Sequence, residues 1–189
     1  MSIKQDLRVL RTKKSIECGF TELLIMSSFS SITVQDIANK AMINRSTFYL
    51  HFQDKYDLLD KLGNRIIDEF SSCIEFDDIK QYNSILRVVR HIQTNATTYR
   101  ALISINTETL NFAAEIQRIF EKLCKNWIAR YEIKEKSEGA GEYFLRLFTS
   151  SCLTTIKWWI EVNNNLTVDE VSDLINQCFE QGMNNSFRI

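Results

Sequence analysis

The 189-residue sequence contains no proline and only five glycines. Sandwiches, barrels and doubly wound sheets place these residues at their many turns, so the scarcity of both points away from β architectures and predicts an all-α chain. Histidine is nearly absent too, with His51 and His91 alone. His91 has no acidic or cysteine partner at i+3 or i+4, and there is no glycine-rich phosphate loop. The parts of nucleophilic, metal-assisted or nucleotide chemistry are missing, so no catalytic site, no metal and no cofactor are expected. Cys18, Cys73, Cys124, Cys152 and Cys178 are odd in number and widely spaced, without a C-x-x-C pair. That pattern suits small buried hydrophobes in a reducing cytosol better than a disulfide framework or a zinc site. No apolar run approaches the roughly 20 residues that span a bilayer, and the N-terminus lacks a signal-peptide core. A cytoplasmic protein without membrane association is expected.

Net charge is also missing, at -1, which argues against nonspecific coating of nucleic acid but leaves local patches open. Lys4, Arg8, Arg11, Lys13 and Lys14 form one such patch at the start of the chain, suited either to phosphate contacts or to a solvated first turn.

What the sequence does have is helical periodicity. Val9, Ile16, Phe20, Leu23 and Leu24 recur at three, four or seven positions and mark an amphipathic helix over 7–27, broken by Ser27, Ser28, Ser30 and Ser31. Thr33 then caps a short helix with Asp36 at its third position, and Val34, Ile37, Ala38 and Ala41 supply the inner face. After the tight Met42-Ile43 connection, Asn44 caps a third helix from Arg45 to about Phe52, and Asp54 caps a fourth with Asp57 in its first turn. Phe48 and Phe52, four apart, face one side and should pack on Val34, Ile37 and Leu58. Further helices are predicted at about 54–75, 80–96, 98–105, 108–132, 140–163 and 168–181. Residues 134–141 read as a loop, Asn163, Asn164 and Asn165 as a helix end, and Thr167 with Glu170 as a capping box. The sum is an N-terminal three-helix helix-turn-helix domain over 1–53 and a helical bundle over 54–189, about nine helices in all.

A short capped helix, a tight turn and a second short helix present one polar edge outward, where it can enter a DNA major groove. The run from Thr33 to Lys55 also resembles the N-terminal signature of the TetR family of transcriptional regulators. The resemblance rests on Thr33, Ile37-Ala38, Arg45-Ser-Thr-Phe-Tyr49, His51-Phe52, Lys55 and Leu58-Leu59. Met42 departs from it, standing where the family usually has glycine, and a left-handed residue with a side chain costs on the order of 1 kcal/mol. The resemblance implies double-stranded DNA as partner, with Asn44, Arg45, Ser46 and Thr47 facing bases or phosphates. Arg45 is the candidate for a base edge, because a guanidinium can donate two bonds to guanine. Thr33, Tyr49, His51 and Lys55 are the candidates for phosphates, which fix register without reading sequence. Each also has a structural role open to it: Thr33 as a cap, Tyr49 as packing, His51 as a satisfied histidine of the small domain.

By the same resemblance the remaining helices form a dimerisation and effector-binding region. The dimer face is expected on the last two helices, with Trp158, Trp159, Val171, Leu174, Ile175 and Cys178, the alternative for the apolar stripe being intrachain core. Adjacent on one helix, Trp158 and Trp159 point about 100° apart, so one should pack inside the chain and the other at the seam. A small-molecule pocket is expected among aromatic residues including Phe112, Phe120, Trp127, Phe144 and Phe148, with His91 and Asn95 at a polar end or on an exposed helix edge. The Ile-Lys-Trp-Trp-Ile run and the final amphipathic helix resemble a branch common in low-GC Gram-positive bacteria. The expected function is an operator-binding homodimer answering to an effector, as repressor or as activator. The alternative is a helical adaptor that uses the helix-turn-helix as scaffold.

Overall fold

The computed structural model describes residues 3–74, 81–130, 132–162 and 165–188, and its helices are α1 (Ile3–Met26), α2 (Val34–Lys40), α3 (Arg45–Tyr49), α4 (Lys55–Ser72), α5 (Gln81–Thr94), α6 (Ala96–Leu102), α7 (Phe112–Arg130), α8 (Ala140–Glu161) and α9 (Val168–Ser186). The side chains of Lys4 and Trp127, and residues Asn163 and Asn164, lie outside the described residues. No helix among the described residues is long and apolar enough to cross a membrane.

The N-terminal unit is cut by its caps. The Thr33 side chain accepts from the Asp36 amide, and the Asp36 carboxylate returns the bond to the Thr33 amide at 2.9 Å, a full capping box. Asp54 accepts from the amides of Tyr56 and Asp57. Between these caps α2 ends in a left-handed residue, Met42 at φ 55°. Its amide donates to Asn39 O at 3.1 Å and the Ile43 amide to Ala38 O at 3.0 Å, the paired bonds that normally accompany a glycine. Ile37, Phe48, Phe52 and Leu58 are buried together with Ile16 and Phe20 of α1, and Val34 packs against them half-buried. Glu17 of α1 pairs with Arg65 of α4 at 2.7 Å, tying the two long helices that flank the unit.

The longer helices form the bundle. α4 meets α7 through Phe70 and Phe120, with ring centroids 5.2 Å apart, and α6 meets α7 through Tyr99 and Phe112 at 5.5 Å. α5 lies along α9, and α6 touches both α1 and α8. Arg100 donates from Nε to the Ile160 carbonyl at 3.0 Å, a cation placed at the C-terminal end of α8 where the helix dipole favours it. The buried side chains run as one cluster from Ile16 to Phe187, across the 53/54 position where a domain boundary was expected.

Several element ends differ from the sequence expectation: α1 begins at Ile3 rather than 7, α3 ends at Tyr49 rather than Phe52, and α6 spans Ala96–Leu102 rather than 98–105. The helix foreseen from 108 begins at Phe112, because the Thr107 hydroxyl accepts from the Leu110 amide at 3.0 Å and Asn106 bridges Asn111, closing a turn in place of a helical start. The last helix runs beyond 181 because its buried stripe continues through Met183 and on to Phe187. Residues of the foreseen 134–141 loop form a two-residue strand, β1 (Lys134–Glu135), antiparallel to β2 (Phe187–Arg188), with Lys134 opposite Arg188.

Candidate nucleic-acid interface

α3 is held by its inner face and leaves its outer face free. Phe48 is fully buried, and its ring lies 5.7 Å from Phe52. Asn44, Arg45, Ser46 and Tyr49 are exposed, while Thr47 and His51 are half-buried. Arg45 and Tyr49, four residues apart, are joined on this edge: the Arg45 guanidinium donates to the Tyr49 hydroxyl from Nε at 3.3 Å and from Nη2 at 3.0 Å. Guanidinium carries five N–H groups, so the Nη1 pair takes no part in this contact, and a hydroxyl that accepts from arginine keeps its own proton to donate. The arrangement offers two donors at fixed spacing, suited to acceptor-rich guanine edges and phosphate oxygens. The Asn44 side chain makes no cap bond, so its amide is also unclaimed by the helix it precedes.

Thr33 stands exposed at the start of α2 with its hydroxyl inside the capping box, where the Asp36 carboxylate receives both the hydroxyl at 2.6 Å and the amide. Those bonds hold the Asp36 carboxyl below its ordinary range. Arg8, Arg11 and Lys14 are exposed on α1 and Lys13 is half-buried.

Lys55 departs from the sequence expectation. Its ammonium donates to Phe29 O at 2.9 Å, Ser30 O at 3.0 Å and Ile32 O at 2.8 Å. An ammonium has three N–H donors, and all three close the turn between α1 and α2. Nζ also lies 4.8 Å from the Phe29 ring centroid and 5.6 Å from that of Tyr56. Expected on a phosphate, Lys55 in this arrangement has no donor to give one and serves as a clamp that fixes the start of α4 against Thr33's neighbours. The sequence signal was its place in the motif, which does not tell what the side chain reaches some 25 residues back.

The expected pocket residues do not gather in one place. Phe112 is fully buried against Tyr99, and His91 lies beside the same tyrosine, its ring 5.8 Å away. Asn95 Nδ2 contacts His91 Nδ1 at 3.3 Å. Phe144 and Phe148 instead stack on one another at 5.6 Å and meet Phe179 of α9, because residues four apart on α8 face that helix. Tyr99, which connects His91 to Phe112, was not foreseen; an isolated tyrosine in a short helix carries no spacing signal.

The expected dimer face divides in two. Val171 is 0% exposed, Ile175 6% and Trp159 9%, and the Trp159 indole donates to Leu166 O at 3.2 Å. These three belong to the chain's own core; Val171 has no surface left to bury against a second copy, whereas Ile175 still lines the groove between Trp158 and Leu174. Trp158 at 43%, Leu174 at 49% and Cys178 remain exposed on α8 and α9. The cysteines divide likewise: Cys124 and Cys152 are buried, and burial pushes the Cys124 thiol up to about 12, whereas Cys18 is exposed.

Two short helices, the first side-chain capped and the second with an outward arginine-tyrosine edge, mounted on a bundle of longer helices, have the form of a helix-turn-helix regulator. The model of "Bacterial regulatory proteins, tetR family" matches residues 21–62, and that of a "Transcriptional regulator C-terminal region" of the TetR type matches residues 80–181. The chain belongs to the TetR family of transcriptional regulators. It is 29% identical over 104 residues to the dhaKLM operon transcriptional activator DhaS of Lactococcus lactis, covering 53% of this chain and 54% of that one. It is 29% identical over 111 residues to the regulator EthR of Mycolicibacterium smegmatis, covering 57% of this chain and 51% of the relative. The chain thus spans about half, or less, of the length of the curated relatives it matches. A TetR regulator from Streptococcus agalactiae 2603V has the same fold, with a TM-score of 0.65, 24% identity, and coverage of 95% of this chain and 99% of that one.

Proposed function

We propose that the protein is a homodimer that binds a palindromic operator through two copies of the Arg45–Tyr49 edge, represses transcription there, and is released by a small-molecule effector. The observation that carries this reading is the exposed Arg45–Tyr49 pair on a helix whose opposite face is locked into the core. Arg45 reads a base, and Tyr49 and His51 hold the backbone, with Asn44, Ser46 and Thr47 beside them, while Thr33, whose hydroxyl and amide both donate to Asp36, fixes the start of α2.

A second copy of the chain is the occupant we assign to the α8–α9 face. Tyr143, Leu147, Trp158 and Val162 are exposed along α8 and Leu174 on α9, an apolar stripe rare on a monomer's surface. A groove of about 310 Å³ opens there between Phe148, Trp158, Leu174 and Cys178, large enough to accept an aromatic side chain of the other copy. Two-fold pairing on this face would set two α3 helices about 34 Å apart, one turn of DNA. The effector acts by population shift, favouring a dimer whose recognition helices are wrongly spaced, with α4 carrying the change through its Arg65–Glu17 pair to α1.

The test is a titration of the purified protein against its own upstream DNA over a salt series. Affinity should fall steeply with salt, and Arg45→Ala should lower it about 10–100-fold, with a smaller loss for Tyr49→Phe. Unchanged operator binding in both variants, or a solution mass of one chain, would sink the reading. An activator is the second reading, favoured by the match to DhaS, named as an activator. It predicts that target transcription falls, rather than rises, when the regulator is deleted.

A further inference from the structure

The polar side chains buried in the core are in general bonded: Thr21 to Glu17 O, Thr149 to Leu145 O and Ser172 to Val168 O. Two buried atoms are not, His91 Nε2 and the Tyr99 hydroxyl, which find no partner among the described residues. They belong to neighbouring rings, edge to face, on α5 and α6.

The protons on both can be placed. Asn95 Nδ2 donates to the His91 carbonyl at 3.0 Å, so the amide presents its NH₂ on this side, and the same nitrogen meets His91 Nδ1. An NH₂ only donates, so Nδ1 accepts and the ring proton sits on Nε2. Burial lowers the pKa of His91 and raises that of Tyr99 far above its ordinary value, so both stay uncharged donors. The charged groups nearby are committed elsewhere: Glu69 takes Arg65 at 3.0 Å, and Arg87 donates to Cys73 O at 3.0 Å. Tyr99 lies against Phe112, which makes the surroundings flat and apolar. His91, Asn95 and Cys73 around them are half-buried.

On the reading that the C-terminal region takes an effector, we propose that His91 and Tyr99 are its polar end, two donors that together hold the carbonyl oxygen of an uncharged aromatic ligand. Two N–H and O–H donors repel a cation, and the cations nearby, Arg65 and Arg87, already donate to Glu69 and to Cys73 O, so no uncommitted ion-pair partner for an anion stands there among the described residues. An oxygen acceptor on a flat apolar body is what remains, and it would satisfy both orphaned groups at once.

The test uses the whole chain with three probes: acetophenone, α-methylstyrene, in which a methylene replaces the carbonyl oxygen, and benzoate. Acetophenone should raise the unfolding temperature and bind at least tenfold more tightly than α-methylstyrene, with no response to benzoate. Tyr99→Phe keeps the ring and removes the unsatisfied hydroxyl. It should abolish the preference for acetophenone while raising the Tm of the free protein by about 2–4 °C. A lowered Tm would mean that the hydroxyl is already bonded, for instance to an internal water, and would overturn the proposal. Equal affinity for acetophenone and α-methylstyrene, binding of neither, or a preference for benzoate would overturn it as well. Operator affinity measured with acetophenone at saturation separates the two readings. Tight binding that leaves DNA affinity unchanged refutes the effector role and leaves the donor pair standing.

Discussion

The helix-turn-helix unit and the junction of α5 with α6 treat polar groups in opposite ways. At the starts of α2 and α4 the polar tips are bonded within the unit: Thr33 with Asp36, Asp54 with two amides, and Lys55 with three carbonyls. At His91 and Tyr99, two buried donors face each other's surroundings without a partner, each at a cost of about 1–3 kcal/mol. The first region is thereby fixed in one geometry, as a surface that must match the spacing of DNA requires. The second leaves free energy to be recovered, which is the condition for a ligand to bias one state over another.

The sharpest way to break that contrast is Lys55→Ala. Removing three charge-assisted bonds to the α1–α2 turn should cost about 2–3 kcal/mol in denaturant unfolding. Operator affinity should fall while the slope of log affinity against log salt stays that of the unmodified protein. A slope smaller by about 0.9 would return Lys55 to a phosphate.

A smaller effect is expected at the cap. Thr33→Ala should cost about 1 kcal/mol of stability. The Asp36 carboxyl is held below its ordinary value by the Thr33 hydroxyl and amide, so its contribution is present above the ordinary aspartate range and is lost as pH falls through the depressed value. The difference between the two proteins in thermal unfolding should therefore narrow in acid. A difference independent of pH down to that range would remove Asp36 from the account.

The N-terminal unit was readable because its determinants are short-range. Thr33 and Asp36 are three residues apart, Phe48 and Phe52 four, and the Asp54 cap adjoins the helix it starts, whereas Asn44, expected to cap α3, stands at its start without a side-chain bond. What decides the bundle is long-range. The stripe Val171, Leu174, Ile175, Cys178 is apolar throughout, yet Val171 and Ile175 face the chain's own helices and Leu174 and Cys178 face outward. Periodicity identifies the helix but not which half of a wide stripe turns inward. Trp158 and Trp159 were separable only as a pair; the bond from Trp159 to Leu166 assigns the inner one. Lys55 and Tyr99 were missed in kind, since the partners of one lie 23 to 26 residues away and those of the other in a separate helix.

The smallest effect concerns Met42, where a side chain occupies a left-handed position and is 94% exposed. The two bonds that close the turn, Met42 N to Asn39 O and Ile43 N to Ala38 O, are formed as they would be with glycine. The cost is therefore local backbone strain, not a displaced α3. The same closure recurs after α7, where Glu132 has φ 49° and the Ile133 amide donates to Ile128 O at 3.1 Å. Met42→Gly should relieve about 1 kcal/mol of strain and lose part of that to the greater freedom of glycine in the unfolded chain. A net gain of about 0.5 kcal/mol in denaturant unfolding is expected, with operator affinity unchanged. A loss of stability would mean that the Met42 side chain makes a contact worth more than the strain. A changed affinity would mean that the turn residue helps to set the angle of the recognition helix.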